Sequence, residues 1–179
     1  MADSSSAPGA LRLVQSFANS VGAEPATDPL RGRDEAAEWL RAAGLLPAEA
    51  GVSNSEHAAL LRLRDSIRDV LAAHTTGRAD ADATGRLTRA LADGRLVLTV
   101  DPATTVRLAS AARASYPNIV AAVAIAIADS AAAGTWPRLK MCADPQCGQA
   151  CYDDSAAADD RLCGKHGRSV LPRRVMRCL

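Results

Sequence analysis

The residues of this 179-residue chain best suited to chemistry crowd into one short segment. Residues 141–169, MCADPQCGQACYDDSAAADDRLCGKHGRS, hold four of the five cysteines and one of the three histidines. The spacing runs Cys142-x4-Cys147, then Cys151, then Cys163-x2-His166, with Cys178 near the end. Two short ligand pairs joined by a loop are how a chain wraps one tetrahedral zinc ion, each pair making a turn that aims two donors at one point. Cys142, Cys147, Cys163 and His166 are therefore the expected ligands, with Asp144, Pro145 and Gly148 as turn residues. A bound ion would supply folding energy that so short and polar a segment cannot draw from burial. Without a metal, the same cysteines would be plain small hydrophobes.

Elements that position such a segment must come from the residues before it. Hydrophobic residues make up 48% of the chain but aromatics only 3%, so Ala, Leu and Val dominate and a helix-rich fold is expected. The opening MADSSSAPGA lacks the basic-then-apolar pattern of a secretory signal, and residues 1–9 read as a disordered lead-in. No run is long and apolar enough to span a membrane. A cytoplasmic location follows by default, where thiols stay reduced and clustered cysteines favour metal over disulfides.

LRLVQSFANSV (11–21) places Leu13, Val14, Phe17 and Val21 at helical spacing. Asp34 is positioned to cap a second helix from about Glu35 to Ala43, ending at Gly44, with Trp39 and Leu40 inward. Ser53 and Glu56 form a capping-box pattern before a long helix. Its apolar stripe is Leu60, Leu63, Ile67, Val70 and Leu71, and Gly77 stops it. A fourth helix is expected over Asp82 to Ala92, with Leu87 and Leu91 inward. RLVLTV (95–100) and TTVRLAS (104–110), separated by DPA, read as a β hairpin. NIVAAVAIAIADSAAAG (118–134) is apolar nearly all round and reads as a buried central helix. Periodicity stops after Trp136, which places a module boundary near Arg138. The expected organisation is a lead-in (1–9), a mainly α-helical domain with a short β hairpin (10–137), and a small zinc-binding module with a basic tail (138–179).

No motif with a catalytic mechanism is present. P-loop, dinucleotide glycine fingerprint and H-E-x-x-H are all missing. Cys147-x3-Cys151 is not the spacing of a thiol oxidoreductase. His57 is expected in the first turn of the long helix, exposed. His74 is expected near its C-terminal end, where the helix dipole favours a protonated imidazole. The chain is expected not to be an enzyme.

Several of these stretches resemble a known family, the CGNR zinc-finger proteins with an N-terminal ABATE domain, described as stress-induced transcription regulators. LRLVQSFANSV is similar to the family's opening helix, with Phe17, Asn19 and Ser20 matching the end of its L-D-F-V-N-T core. EAAEWLRAAGLL and LLRLRDSIRDVLAAH look like its second and third helices, and RLVLTVDP like its mid-domain strand. RLKMCADPQCGQACYDDS resembles its C-A-N/D-P-x-C-x-x-x-F-x-D-x-S run most closely. The resemblance implies a zinc finger that engages DNA behind a domain that senses a small-molecule effector or a protein partner. It also implies that Cys151, standing where the family has an aromatic residue, is a buried hydrophobe and not a ligand. The finger diverges: RLCGKHGRS stands in place of C-G-N-R. The fourth ligand is then His166, or else Cys178. The loop before Cys163, usually rich in Arg, carries Asp153, Asp154, Asp159 and Asp160, which repel phosphate.

Net charge is only +1, but six of the 21 basic residues fall after Asp160. Such a tail binds phosphate through counterion release, without reading bases. Arg168, Arg173 and Arg174 are the first candidates for phosphate contact, followed by Lys165 and Arg161. The expected function is transcription regulation through a DNA-binding finger and tail. The alternative is a protein-interaction module that does not bind DNA and in which zinc is purely structural. A third class, a redox switch in which oxidation ejects the metal, is suggested by the thiols.

Overall fold

The structure is a computed structural model and describes residues 6–21, 27–111, 115–158 and 163–166. Five α-helices, a β hairpin and a second, shorter β ribbon make up these residues: α1 (Leu11–Ala18), α2 (Arg33–Ala42), α3 (Asn54–Thr76), α4 (Ala81–Leu91), β1 (Leu96–Val100), β2 (Val106–Ser110), α5 (Ser115–Ala132), β3 (Leu139–Met141) and β4 (Ala150–Tyr152). A single 3-10 turn, Trp136–Arg138, leads from α5 into β3. Among the described residues no helix is long and apolar enough to cross a membrane.

α3 is the axis of the fold, and its ends follow from local chemistry. The Ser53 hydroxyl accepts the Glu56 N–H while the Glu56 carboxylate accepts the Ser53 N–H at 2.8 Å, so two orphan donors are satisfied reciprocally. Gly77 ends the helix in the left-handed region, φ 65°, which a side chain would disfavour. Leu60, Leu63, Ile67, Val70 and Leu71 are all buried. They meet Leu11, Val14 and Phe17 of α1, Leu40 of α2, Leu87 of α4 and Ile119, Val120 and Val123 of α5 in one core. Phe17 and Trp39 stack at a tilt with ring centroids 5.8 Å apart. A buried Arg64 on α3 ties the loop before α2 down, donating to the Ser20 carbonyl and to both Asp28 carboxylate oxygens at 2.9 and 3.0 Å.

Several boundaries differ from the sequence reading. α2 begins at Arg33 with Gly32 as its N-cap, so Asp34 sits inside the first turn, where it favours the helix dipole without capping it. α4 is capped by Asp80, whose carboxylate accepts the Ala83 N–H at 2.9 Å. α5 starts at Ser115 and carries Pro117 in its first turn, where proline's missing N–H costs nothing. It is not enclosed all round: Ile119, Val120, Val123 and Ala126 are buried, while Ala128 and Asp129 are exposed.

β1 and β2 pair antiparallel, Leu98 opposite Leu108 and Val100 opposite Val106. Gly94 lets the chain pass close over α5 on entering β1. A Cβ there would stand 2.9 Å from the Ala121 backbone nitrogen. β3 and β4 form the second antiparallel ribbon, with Lys140 opposite Cys151. Leu139 and Ala150 of this ribbon belong to the same core as the helices.

Candidate metal centre

The β3–β4 ribbon and the turns at its ends carry the cysteines. Cys142 follows β3 directly, and its N–H donates to the Gln149 carbonyl at 2.8 Å, which keeps the strands in register past the ladder. Between them the chain turns through Asp144. Its carbonyl accepts the Cys147 N–H at 3.0 Å and its carboxylate the Gln146 N–H at 2.9 Å, which swings Cys147 back toward Cys142. Gly148, φ 61°, completes the turn. On the far side, the Cys163 N–H donates to the Cys142 sulfur at 3.4 Å, and the His166 N–H to the Cys163 carbonyl at 2.9 Å.

These turns bring Cys142, Cys147, Cys163 and His166 together, with donor atoms all within 4.8 Å of one another. The Cys147 and Cys163 sulfurs are 3.6 Å apart, and His166 Nδ1 lies 3.6 Å from Cys142 Sγ and 3.2 Å from Cys163 Sγ. A tetrahedral zinc ion, with sulfur at about 2.3 Å and nitrogen at about 2.0 Å, has donor–donor edges of about 3.5–3.8 Å. The four residues can hold a metal ion, and the sulfur-rich, nitrogen-containing set fits zinc. None of the four described cysteines is in a disulfide.

The electrostatics agree with a cation at the centre. Burial and the neighbouring thiols push Cys147 up to about 11. Burial also works against ionising Cys163, but the Lys165 backbone N–H and the hydrogen bonds from Cys147 and His166 outweigh it and bring this thiol down to about 7. Three sulfurs so close cannot all ionise without a positive charge among them, and a coordinated metal deprotonates them outright. On the outer side, His166 Nε2 faces the Asp144 carboxylate at 3.8 Å, within ion-pair range but longer than a hydrogen bond. Cys151 is not one of the four donors: it is buried against Cys142 and Cys163, and burial and the neighbouring thiols push it up to about 12. It is an inert small hydrophobe, as the resemblance implied.

The ribbon is held to the helices by polar side chains that sequence reasoning did not assign. Asn19, just beyond α1, grips Ala150 at both ends: its amide donates to the Ala150 carbonyl at 2.9 Å and its carbonyl accepts the Ala150 N–H at 2.7 Å. Gln15 donates to the same carbonyl at 3.2 Å. From α3, Arg68 donates to the Ala18 and Gly148 carbonyls at 2.7 and 2.9 Å, and Thr75 to the Met141 carbonyl at 2.7 Å. His74 Nδ1 lies 2.9 Å from the Leu139 carbonyl oxygen and its ring meets Trp136 edge-on at 5.0 Å. The imidazole is therefore not held protonated by the helix dipole. Burial dominates and lowers its pKa. His57 also differs from expectation, being half-buried with Nε2 2.7 Å from the Leu30 carbonyl oxygen. Only Asn19 carried any signal in the sequence, by standing in the FANS stretch similar to the family's opening helix. Replacing Asn19 by Ala leaves the Ala150 N–H without its partner. A loss of about 1–3 kcal/mol is expected, measured by denaturant unfolding.

The acidic loop is less acidic than its composition. Asp153 turns inward onto Lys140 at 2.6 Å, with side chains only 2% and 7% exposed. Lys140 also donates to the Ala158 carbonyl at 2.7 Å, and the second Asp153 oxygen accepts the Ser155 N–H and hydroxyl. Asp154 is exposed, while Asp159 and Asp160 lie outside the described residues. Of the candidate phosphate contacts, Lys165 is exposed beside the cluster; Arg161, Arg168, Arg173 and Arg174 lie outside the described residues, as does the alternative ligand Cys178.

The class is now defined: a helical domain with a β hairpin, continued by a ribbon whose turns gather three cysteines and a histidine into a group able to hold a metal. Comparison with protein families matches residues 11–134 to the ABATE model, described as "Putative stress-induced transcription regulator". The chain belongs to the ABATE family. Comparison with curated proteins found no match.

Proposed function

We propose that this chain is a cytoplasmic, non-enzymatic transcription regulator whose C-terminal zinc finger and basic tail engage DNA. The observation that carries it is the convergence of Cys142, Cys147, Cys163 and His166 directly behind a domain of a regulator family. Zinc, when bound, supplies a fixed coordination centre and no reaction. Cys142 and Cys147 anchor the centre to the ribbon, and Cys163 and His166 bring the returning chain across to it. Asp144 stands on the outer side of the imidazole. The ribbon passes the position of this group to α1 and α3 through Asn19, Arg68 and Thr75. That linkage is a route by which an effector on the helical domain would alter the finger. Burial of Asp153 against Lys140 removes one of the charges that would repel phosphate near the finger.

Binding of the zinc-loaded chain to generic duplex DNA, followed by fluorescence anisotropy, tests the proposal. Affinity is expected to fall with salt at a log–log slope of about −0.9 per phosphate contacted. Alanine at Lys165, Arg161, Arg168, Arg173 and Arg174 together is expected to flatten that slope. Negligible binding at low salt leaves the other reading, a finger folded by zinc that docks a protein partner.

A further inference from the structure

α1 and the turns of the metal centre do not meet flush. Between them lies a cavity of about 740 Å³, within the size range of small-molecule sites. Its walls come from both parts of the chain. Arg12, Gln15 and Asn19 line it from α1 and the residue just beyond, and Gln149, Cys163 and Lys165 from the ribbon and the metal centre. Arg12 and Lys165 are its charged side chains, and among the described lining residues there is no carboxylate. Neither cation is neutralised elsewhere: both lack an ion-pair partner among the described residues. The Arg12 guanidinium donates from Nε to the Ala7 carbonyl at 3.4 Å, which leaves its two terminal nitrogens for a ligand. With zinc bound, three thiolates exceed the charge of the ion by one, so the two cations still leave the cavity positive.

We propose that this cavity binds a small phosphate ester, and that the ester is the effector of the finger. The charges point to phosphate. A phosphomonoester carries about two negative charges at neutral pH, which Arg12 and Lys165 match, whereas a single carboxylate leaves one cation unmatched. A guanidinium fork donates two parallel hydrogen bonds to phosphate oxygens, and an ammonium adds a compact charge beside it. The Gln149 amide has no hydrogen-bond partner among the described residues and is available to hydroxyls of the organic part. A recess of this size takes in a free ester whole, while a duplex presents its phosphates on a ridge that meets only the rim. Binding draws the turn that carries Cys163, Lys165 and His166 against α1. Lys165 is then withdrawn from DNA, so ester and DNA compete for it. That second step rests on the DNA-binding reading above; the binding of the ester does not.

Calorimetric titration of the zinc-loaded full chain with glycerol phosphate, at constant ionic strength, is expected to show saturable binding, with acetate at least about tenfold weaker. Arg12→Glu and Lys165→Glu are each expected to weaken the ester at least about tenfold, with zinc content and helical circular dichroism unchanged. Arg89→Glu makes the same change of charge on α4, outside the cavity, and is expected to leave the affinity within about twofold. A flat titration overturns the proposal, as does acetate bound as tightly as the ester. So does a loss in Arg89→Glu as large as in Arg12→Glu, which reveals a general attraction for anions. Should Lys165→Glu shed zinc, Arg12→Glu, on the helical domain, decides alone. In the anisotropy assay the ester is expected to lower DNA affinity more than acetate does at equal ionic strength. Ester and DNA bound without competition overturn the effector role. Absence of DNA binding ends that role together with the function proposed above, while the titration still decides the site.

Discussion

Cys142→Ser is expected to empty the metal centre and unfold the segment around it. Structural zinc contributes about 10–16 kcal/mol of apparent folding energy in finger peptides, and a serine hydroxyl cannot replace an anionic sulfur. Cys142 carries a second duty, since its sulfur accepts the Cys163 N–H that brings the far side of the centre across. Elemental analysis should show about one zinc per wild-type chain and almost none in the variant. Limited proteolysis should then cut within 142–166 while the helical core survives, because its buried residues on α1 to α5 do not involve the centre. Cys151→Ser is the matched control: it lies in the same ribbon, outside the donor group, and should keep the metal. Full zinc in Cys142→Ser would end the assignment. His166→Ala is expected to weaken zinc retention sharply, and unchanged zinc there would transfer the fourth position to Cys178, a carboxylate or water.

Lys140→Met is expected to destabilise the chain by about 3–5 kcal/mol, because it strands the Asp153 carboxylate in a site that is 2% exposed. At about 2–4 °C per kcal/mol for a chain of this size, melting should drop by roughly 10 °C. The double variant Lys140→Met/Asp153→Leu should recover much of the loss, since removing both charges removes the unpaired one. It should not recover all, because Asp153 also holds Ser155. The sign of the pH dependence follows. Burial alone would raise the Asp153 carboxyl, but the Lys140 ammonium and the Ser155 hydrogen bonds outweigh it and hold it below its usual value of 3.8. Its stabilisation is therefore present above the unfolded pKa and lost as pH falls through the lower folded one. In Lys140→Met burial prevails, so the stability gap from wild type should narrow as the medium is acidified through about pH 4. A gap that stays constant between pH 7 and pH 4 would show that the pair is not the cause. His74 pushes the same way: its lowered pKa means that protonation below about 6.5 works against the folded state in both proteins.

Much of the helical layout was legible because its signals are local. Ser53 and Glu56 are three residues apart, and Leu60 to Leu71 repeat at the helical period, so cap and buried stripe can be read from neighbours alone. The DPA turn between two β-rich runs announced the hairpin in the same way. The starts of α2 and α4 were less legible, because Gly32 and Asp80 compete with Asp34 and Asp82 nearby as helix starts. His74 was misread because the dipole argument uses only its own helix, whereas its pKa is governed by burial against Trp136 and β3.

The sequence by itself determined the helices, the hairpin and the candidacy of Cys142, Cys147, Cys163 and His166, because each depends on residue type and short spacing. Only the tertiary structure decided that Asp153 turns inward to Lys140, that Asn19 clamps Ala150 from 131 positions away, and that the hairpin's apolar face is left open to water. Those outcomes depend on which surfaces the packed helices leave near one another, and no local pattern encodes a distance between residues so far apart along the chain.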